Sequence, residues 1–272
     1  LLTGADELEP VVYSFPKYAF DASSYKSRVY NGYKNPQDTD LRFGPNIADW
    51  PKFGKLPENL ILEVASVIRD PVTTTDELIP SGETSSFRSN PEKLAQFTLS
   101  RRDPGYVECA RAVRKIERGR EAGAADAMLS ELSKASGIAL DARNSAIGSV
   151  VCAYRPGDGS AREQAASCQR VLGGWANIAV DYATKRYRSN LVNWGMLPLT
   201  AEQGVIDSLD AGDKIILPGI AQALQELKES IEAVIVKQDG TVTKATLSLS
   251  GLSEGERDII LAGCLINYYA KS

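Results

Sequence analysis

One stretch constrains the fold of this chain more than any other. A short apolar run, Val150-Val151-Cys152-Ala153-Tyr154, leads through Gly157-Asp158-Gly159-Ser160-Ala161-Arg162-Glu163 into a helix-like segment from about 160 to 171. Two glycines let the backbone turn sharply and come close to a ligand. Free N–H groups at the start of the following helix then form an anion site. Ser160 places a hydroxyl there, and Arg162 adds a planar fork of donors suited to a carboxylate or phosphate. The same residues admit a plainer reading, a strand-to-helix turn in which Ser160 only caps the helix. The loop lacks the lysine of a P-loop and the third glycine of a dinucleotide fingerprint, so nucleotide readings are weak.

Strands and helices continue on both sides of this unit. Leu60 to Ile68 is apolar enough for a buried strand and is followed by a polar loop over 70–90. Tyr106, Ala110, Val113 and Ile116 recur at helical spacing within Pro104 to Arg120, and Ala124 to Ala135 forms a second helix that Gly137 stops. After the glycine loop, Trp175 to Val180 is a strand and residues 182–194 form a helix ending near Gly195. The tail is richer in strands: Lys214 to Leu217, Ala233 to Val236 and Thr241 to Leu249, with Asp239-Gly240 as a hairpin turn. A final helix carries Leu261, Cys264, Leu265 and Tyr268 on one face. This order predicts an α/β fold with a mixed, partly closed sheet flanked by helices, over residues 56–272. Residues 1–55, punctuated by Asn31-Gly32, Asn35-Pro36 and Gly44-Pro45, read as an extended linker arm.

Composition then removes whole classes of chemistry. The chain has no histidine, so imidazole-based triads and His-ligated metal sites are excluded. Protons must move on carboxylates, Ser, Tyr or Lys, or on groups from another chain. The net charge of −4 argues against a general nucleic-acid binder. Four well-separated cysteines, Cys109, Cys152, Cys168 and Cys264, give no metal signature and fit buried thiols in a reducing compartment. No apolar run approaches a membrane span and the first residues do not form a signal peptide, so the expectation is a soluble, cytoplasmic protein.

A second polar cluster, Thr73-Thr74-Thr75-Asp76-Glu77 with Phe87-Arg88 beyond it, puts hydroxyls, a carboxylate and an arginine in one loop. On these residues alone it could cap helices and do nothing more.

The two clusters together resemble the mobile C-terminal swivel domain of the aconitase family. The glycine loop is similar to that family's Gly-x-Gly-Ser-Ser-Arg-Glu-His motif, and Leu172-Gly173-Gly174, Asn190-Leu191 and Gly195-Met196-Leu197-Pro198-Leu199-Thr200 follow in the family's order. Thr74-Thr75-Asp76 resembles its Thr-Thr-Asp-His, and Arg88 stands twelve residues beyond Asp76, as the family's substrate arginine does. Leu2-Thr3-Gly4 resembles the start of the family's interdomain linker.

The resemblance implies roles. Ser160 matches a serine alkoxide that takes a proton from the carbon beside a substrate carboxylate, with Asp76 as a catalytic carboxylate. Arg88 and Arg162 match the carboxylate clamps, and Thr75 and Gly159 complete the substrate-binding set. It also implies a 4Fe-4S iron–sulfur cluster on other domains and none in this chain, which would be part of a longer polypeptide or a separate small subunit. The partners implied are those cluster-bearing domains and a small carboxylic acid that is dehydrated and rehydrated. Nucleic acid and membrane are not implied partners. Three positions depart from the pattern: Ala161 replaces the second serine, and Glu77 and Gln164 replace the two histidines. A non-catalytic or RNA-binding regulatory paralogue is the alternative, with Arg111, Arg114, Lys115, Arg118 and Arg120 as its one local basic run. On the residues alone that run reads as the solvated face of a helix.

Overall fold

The longest apolar runs of the sequence become neighbours. In the computed structural model, which describes residues 12–28, 40, 42–124 and 127–270, contacts divide the chain into two units, Leu1–Arg42 and Phe43–Ser272. Within the first unit, α1 (Ser23–Arg28) starts where the Asp21 carboxylate accepts the Ser23 N–H and hydroxyl, each at 2.8 Å. Leu2-Thr3-Gly4, Asn31-Gly32 and Asn35-Pro36 lie outside the described residues.

The second unit runs β1 (Asn59–Ile68), β2 (Thr73–Thr74), α2 (Thr75–Leu78), α3 (Pro91–Leu94), α4 (Tyr106–Glu121), α5 (Ala127–Ser136), β3 (Ser145–Ala153), β4 (Pro156–Asp158) and α6 (Arg162–Val171). It continues through β5 (Gly174–Ala179), α7 (Lys185–Asn193), β6 (Leu197–Thr200), α8 (Gln203–Ser208), β7 (Lys214–Leu217) and α9 (Ile220–Gln225). The chain then forms β8 (Ser230–Val236), β9 (Val242–Ser248), α10 (Glu254–Ala262) and α11 (Leu265–Tyr269). Seven strands close into a mixed barrel in the order β1-β3-β5-β6-β9-β8-β7, so the fold is α/β with a mixed sheet that closes. β1, β3, β5 and β6 are parallel, and the remaining pairings are antiparallel.

Burial on both faces explains why β1 and β3 read as continuous apolar runs rather than as alternation. All nine residues of β3 are buried. Leu60, Leu62, Val64, Val150, Ile178 and Leu199 fill the barrel. A register shift between Val64 and Ser66 then turns Ala65 and Ile68 outward, onto a layer built from α4, α6 and α7. A third group, Ile61, Ile147 and Val234 with Val113 and Leu132, seats α4 and α5 on the outside.

Several elements differ from the sequence reading. β6 was not expected, because Pro198 cannot donate to a ladder; its link to β9 is the single pair Thr200↔Ser248, which leaves this seam short. The short helices α8 and α9 carry too little periodicity to stand out. The last helix is two: Gly263 adopts φ 93° and Cys264 is extended, so Leu261 and Leu265 belong to different helices. The polar loop over 70–90 contains β2 and α2. No helix among the described residues is long and apolar enough to cross a membrane.

Candidate active site at the carboxyl ends of the parallel strands

Because β1, β3 and β5 run in parallel, the loops leaving Ile68, Ala153 and Ala179 emerge side by side. Ligand sites of open α/β sheets lie at such ends. Here β2 and β4 pair in parallel, Thr73 opposite Pro156 and Thr74 opposite Asp158, so the two polar clusters of the sequence are knitted together. The Ala161 N–H donates to Thr75 Oγ1 at 3.3 Å, across 86 positions of sequence. Gly159 has φ 129°, and a β-carbon there would lie 2.2 Å from Thr75 Oγ1. Only glycine lets the loop press this closely on buried Thr75.

Gly157 has the same need: φ is 98° and a β-carbon would come within 2.3 Å of the Tyr187 ring. Its carbonyl accepts from Thr184 Oγ1 at 3.1 Å, at the start of α7. Behind the loop lies a closed triangle of buried polar groups. Gln169 Nε2 donates to Tyr187 Oη (2.9 Å), Tyr187 Oη donates to Asn177 Oδ1 (2.7 Å), and Asn177 Nδ2 donates to Gln169 Oε1 (2.7 Å). Burial pushes the Tyr187 phenol well above its ordinary range, so it stays neutral and able to donate. The triangle locks α6, α7 and β5 together beneath the loop, as a fully satisfied buried network should.

The capping residue of α6 is Ala161, and no side chain caps this helix. Ser160 is therefore not a cap, which corrects the plainer reading of the loop. Its side chain is exposed and makes no hydrogen bond to the described residues. The first-turn N–H groups of α6 have no partners within the helix. In the other loop two side chains, Thr74 and Glu77, do cap a helix. The Glu77 carboxylate accepts the Thr74 N–H (2.7 Å) and hydroxyl (2.8 Å), and the Glu77 N–H returns to Thr74 Oγ1 (3.2 Å). Glu77, where the family pattern has histidine, is thus half of a capping box.

Ser160 and Arg88 face one cleft of about 290 Å³, lined also by Ser81, Ala161, Glu163 and Gln164. Arg88 is exposed and holds no ion pair among the described residues. Arg162 sits in the first turn of α6 beside this cleft rather than in its wall; its Nε is buried without a partner. Asp76 is not in the wall either: Arg101 bridges it to Glu83, on the surface. The structure therefore brings Ser160, Arg88, Gly159 and Thr75 to one place and directs Asp76 toward Arg101.

Sequence reasoning missed Arg101 and the Glu163–Trp194 pair, in which Trp194 Nε1 donates to Glu163 Oε1 at 3.2 Å. The Trp194 ring lies 4.3 Å from that of Trp50 at a tilt of 37°, so the cleft wall is braced from the 43–58 segment. Separations of 25 and 31 residues left no local signal for either contact.

Among the described residues, no three His, Cys, Asp or Glu side chains converge as metal ligands. The four thiols are free and scattered; burial pushes Cys152 up to about 12 and raises Cys168 further. These residues do not fit an iron–sulfur cluster.

Residues 129–204 match the family model described as the aconitase C-terminal domain. Aconitate hydratase A of Bradyrhizobium diazoefficiens is 34% identical over 115 residues, 41% of this chain and 12% of that protein. The mitochondrial aconitate hydratase of Gracilaria gracilis is 38% identical over 86 residues, 31% of this chain and 11% of that protein. A solved structure of 3-isopropylmalate dehydratase from Methanocaldococcus jannaschii superposes with a TM-score of 0.45 at 23% identity, covering 78% of this chain and 94% of that one. The chain spans between 11% and 15% of the length of the curated relatives it matches. The glycine loop, the Leu172-Gly173-Gly174 turn and the Gly195–Thr200 strand all lie inside the stretch that matches the aconitase C-terminal domain.

Proposed function

We propose that this domain is the swivel part of a hydro-lyase that removes and restores water on a small hydroxy-carboxylic acid, working with domains outside this chain. The observation that carries the proposal is the open geometry around Ser160. Among the described residues its hydroxyl has no partner and Arg88, which shares its cleft, has no ion pair; the hydroxyl also stands at an uncapped helix N-terminus.

In this reading Ser160 takes the proton from the carbon beside a substrate carboxylate. A serine hydroxyl is a poor base unless its oxyanion is stabilised, and the first-turn N–H groups of α6 with the Arg162 guanidinium supply donors and positive charge there. Arg88 and Arg162 bind substrate carboxylates in bidentate fashion and fix their orientation. Thr75 and Gly159 hold the loop at its height. Asp76, paired with Arg101, acts where the partner domains close over this face. A 4Fe-4S cluster on those domains would supply Lewis-acid activation of the leaving hydroxyl. The free thiols suit a reducing compartment such as the cytoplasm.

The test is kinetic, in the complete protein with its partner domains. Ser160→Ala is expected to lower kcat by on the order of 10³-fold. Arg88→Lys and Arg162→Lys should chiefly raise KM, because lysine keeps the charge but loses the fork. Wild-type kinetics in all three variants would refute the assignment.

A further inference from the structure

At the other end of the barrel, where β1, β3 and β5 begin, lies a cleft of about 490 Å³ between the 51–57 segment, α4 and the turn from α6 to β5. Its walls are strongly cationic although the whole chain carries a net charge of −4. Arg114 is neutralised by Glu92 (2.6 Å), Arg120 by Glu117 (2.6 Å), and Arg143 lies 3.9 Å from Asp141. Among the described residues Lys52, Lys55, Arg118 and Arg170 have no ion pair, and Glu121 is the remaining carboxylate of the lining. Three positive charges are thus left over from these five side chains.

Arg170 forms the floor. It is only 4% exposed, and its guanidinium lies 3.6 Å from the centre of the Trp175 ring and 5.2 Å from that of Phe53. Nη1 donates to the Gly174 carbonyl (3.2 Å) and Nη2 to the Gly263 carbonyl (3.4 Å), but Nε is buried with no partner. Desolvation works against its charge and pushes the guanidinium down to about 9. A buried cation is costly without an anion to compensate it, and the described residues pair none with Arg170.

We propose that this cleft binds a small polyanion of the triphosphate class, with the buried Arg170 guanidinium as the charge beneath it and Lys52, Lys55 and Arg118 around the rim. A single carboxylate would leave most of the surplus charge unbalanced; linked phosphates carry enough charge to match it. The site is separate from the Ser160 cleft and does not depend on how that cleft is used.

Calorimetric titration of the full chain with inorganic tripolyphosphate, with sodium sulfate as the ionic-strength control, tests the assignment. One saturable site is expected, weakened by rising salt. The Lys55→Glu/Arg118→Glu variant changes exposed side chains only and should bind roughly tenfold more weakly or worse. Arg170→Lys should also weaken binding, and an unchanged circular dichroism spectrum would show that the fold survives. Arg88→Ala, in the other cleft, should bind as wild type does. No binding at millimolar tripolyphosphate, or undiminished binding in the charge-reversed variant, overturns the proposal. So does an oligoribonucleotide that outcompetes tripolyphosphate at equal phosphate concentration, since that would give the surface to a nucleic-acid backbone.

Discussion

The loop over 73–78 and the loop over 157–162 lie against each other, joined by the β2–β4 pair, and both carry hydroxyls and charges; they differ in what those groups do. In the first, Thr74 and Glu77 bond to each other and Asp76 is bridged to Glu83 through Arg101. In the second, the Ser160 hydroxyl and the Arg162 Nε have no partner among the described residues. Polar groups that serve only the fold are normally satisfied within it. The contrast therefore sets a loop whose polar groups are spent within the fold beside one that leaves its serine hydroxyl exposed, and the backbone of the open loop is held by its glycines and by the buried triangle behind it.

The largest effect should come from changing what holds the open loop. Gly157→Ala forces a β-carbon to within 2.3 Å of Tyr187 at a φ of 98°. The clash and the strain together should cost about 3 kcal/mol in urea unfolding, with broadened amide signals over 156–161. Tyr187→Phe comes next, because it leaves Gln169 and Asn177 short of a buried partner, at about 2 kcal/mol. If either variant unfolds like wild type, the loop is not braced from below and the contrast between the two loops fails.

Much of this arrangement was legible in the residues, for physical reasons that also explain the gaps. β1 and β3 showed as apolar runs because both their faces are buried, and the glycine loop showed because positive φ needs glycine in place. Charge and hydroxyl content marked the 73–77 loop, yet whether its groups were spent on capping depends on rotamers that spacing does not reveal. Pro198 hid β6, and a glycine inside an apolar pattern hid the break at Gly263. The basic run on α4 read as a solvated face, and Arg111, Lys115 and Arg118 are exposed there, while Arg114 meets Glu92 and Arg120 meets Glu117. The Arg114 pair is set by how α3 and α4 dock, of which sequence periodicity carries no record; the Arg120 pair is an i,i+3 contact within α4, whose spacing the sequence does show.

The sharpest test of the contrast lies in its two smallest effects, measured side by side. Thr74→Ala removes the capping box of α2 and should cost about 1 kcal/mol, since Glu77 then loses its reciprocal partner. Ser160→Ala removes a hydroxyl that bonds to none of the described residues and should change stability by less than about 0.5 kcal/mol. Chemical denaturation of both variants decides the matter. A Ser160→Ala cost equal to that of Thr74→Ala would make Ser160 a structural hydroxyl and withdraw it as the base. A stability left intact, alongside a large fall in turnover, would place the serine's interactions in the substrate complex rather than in the fold.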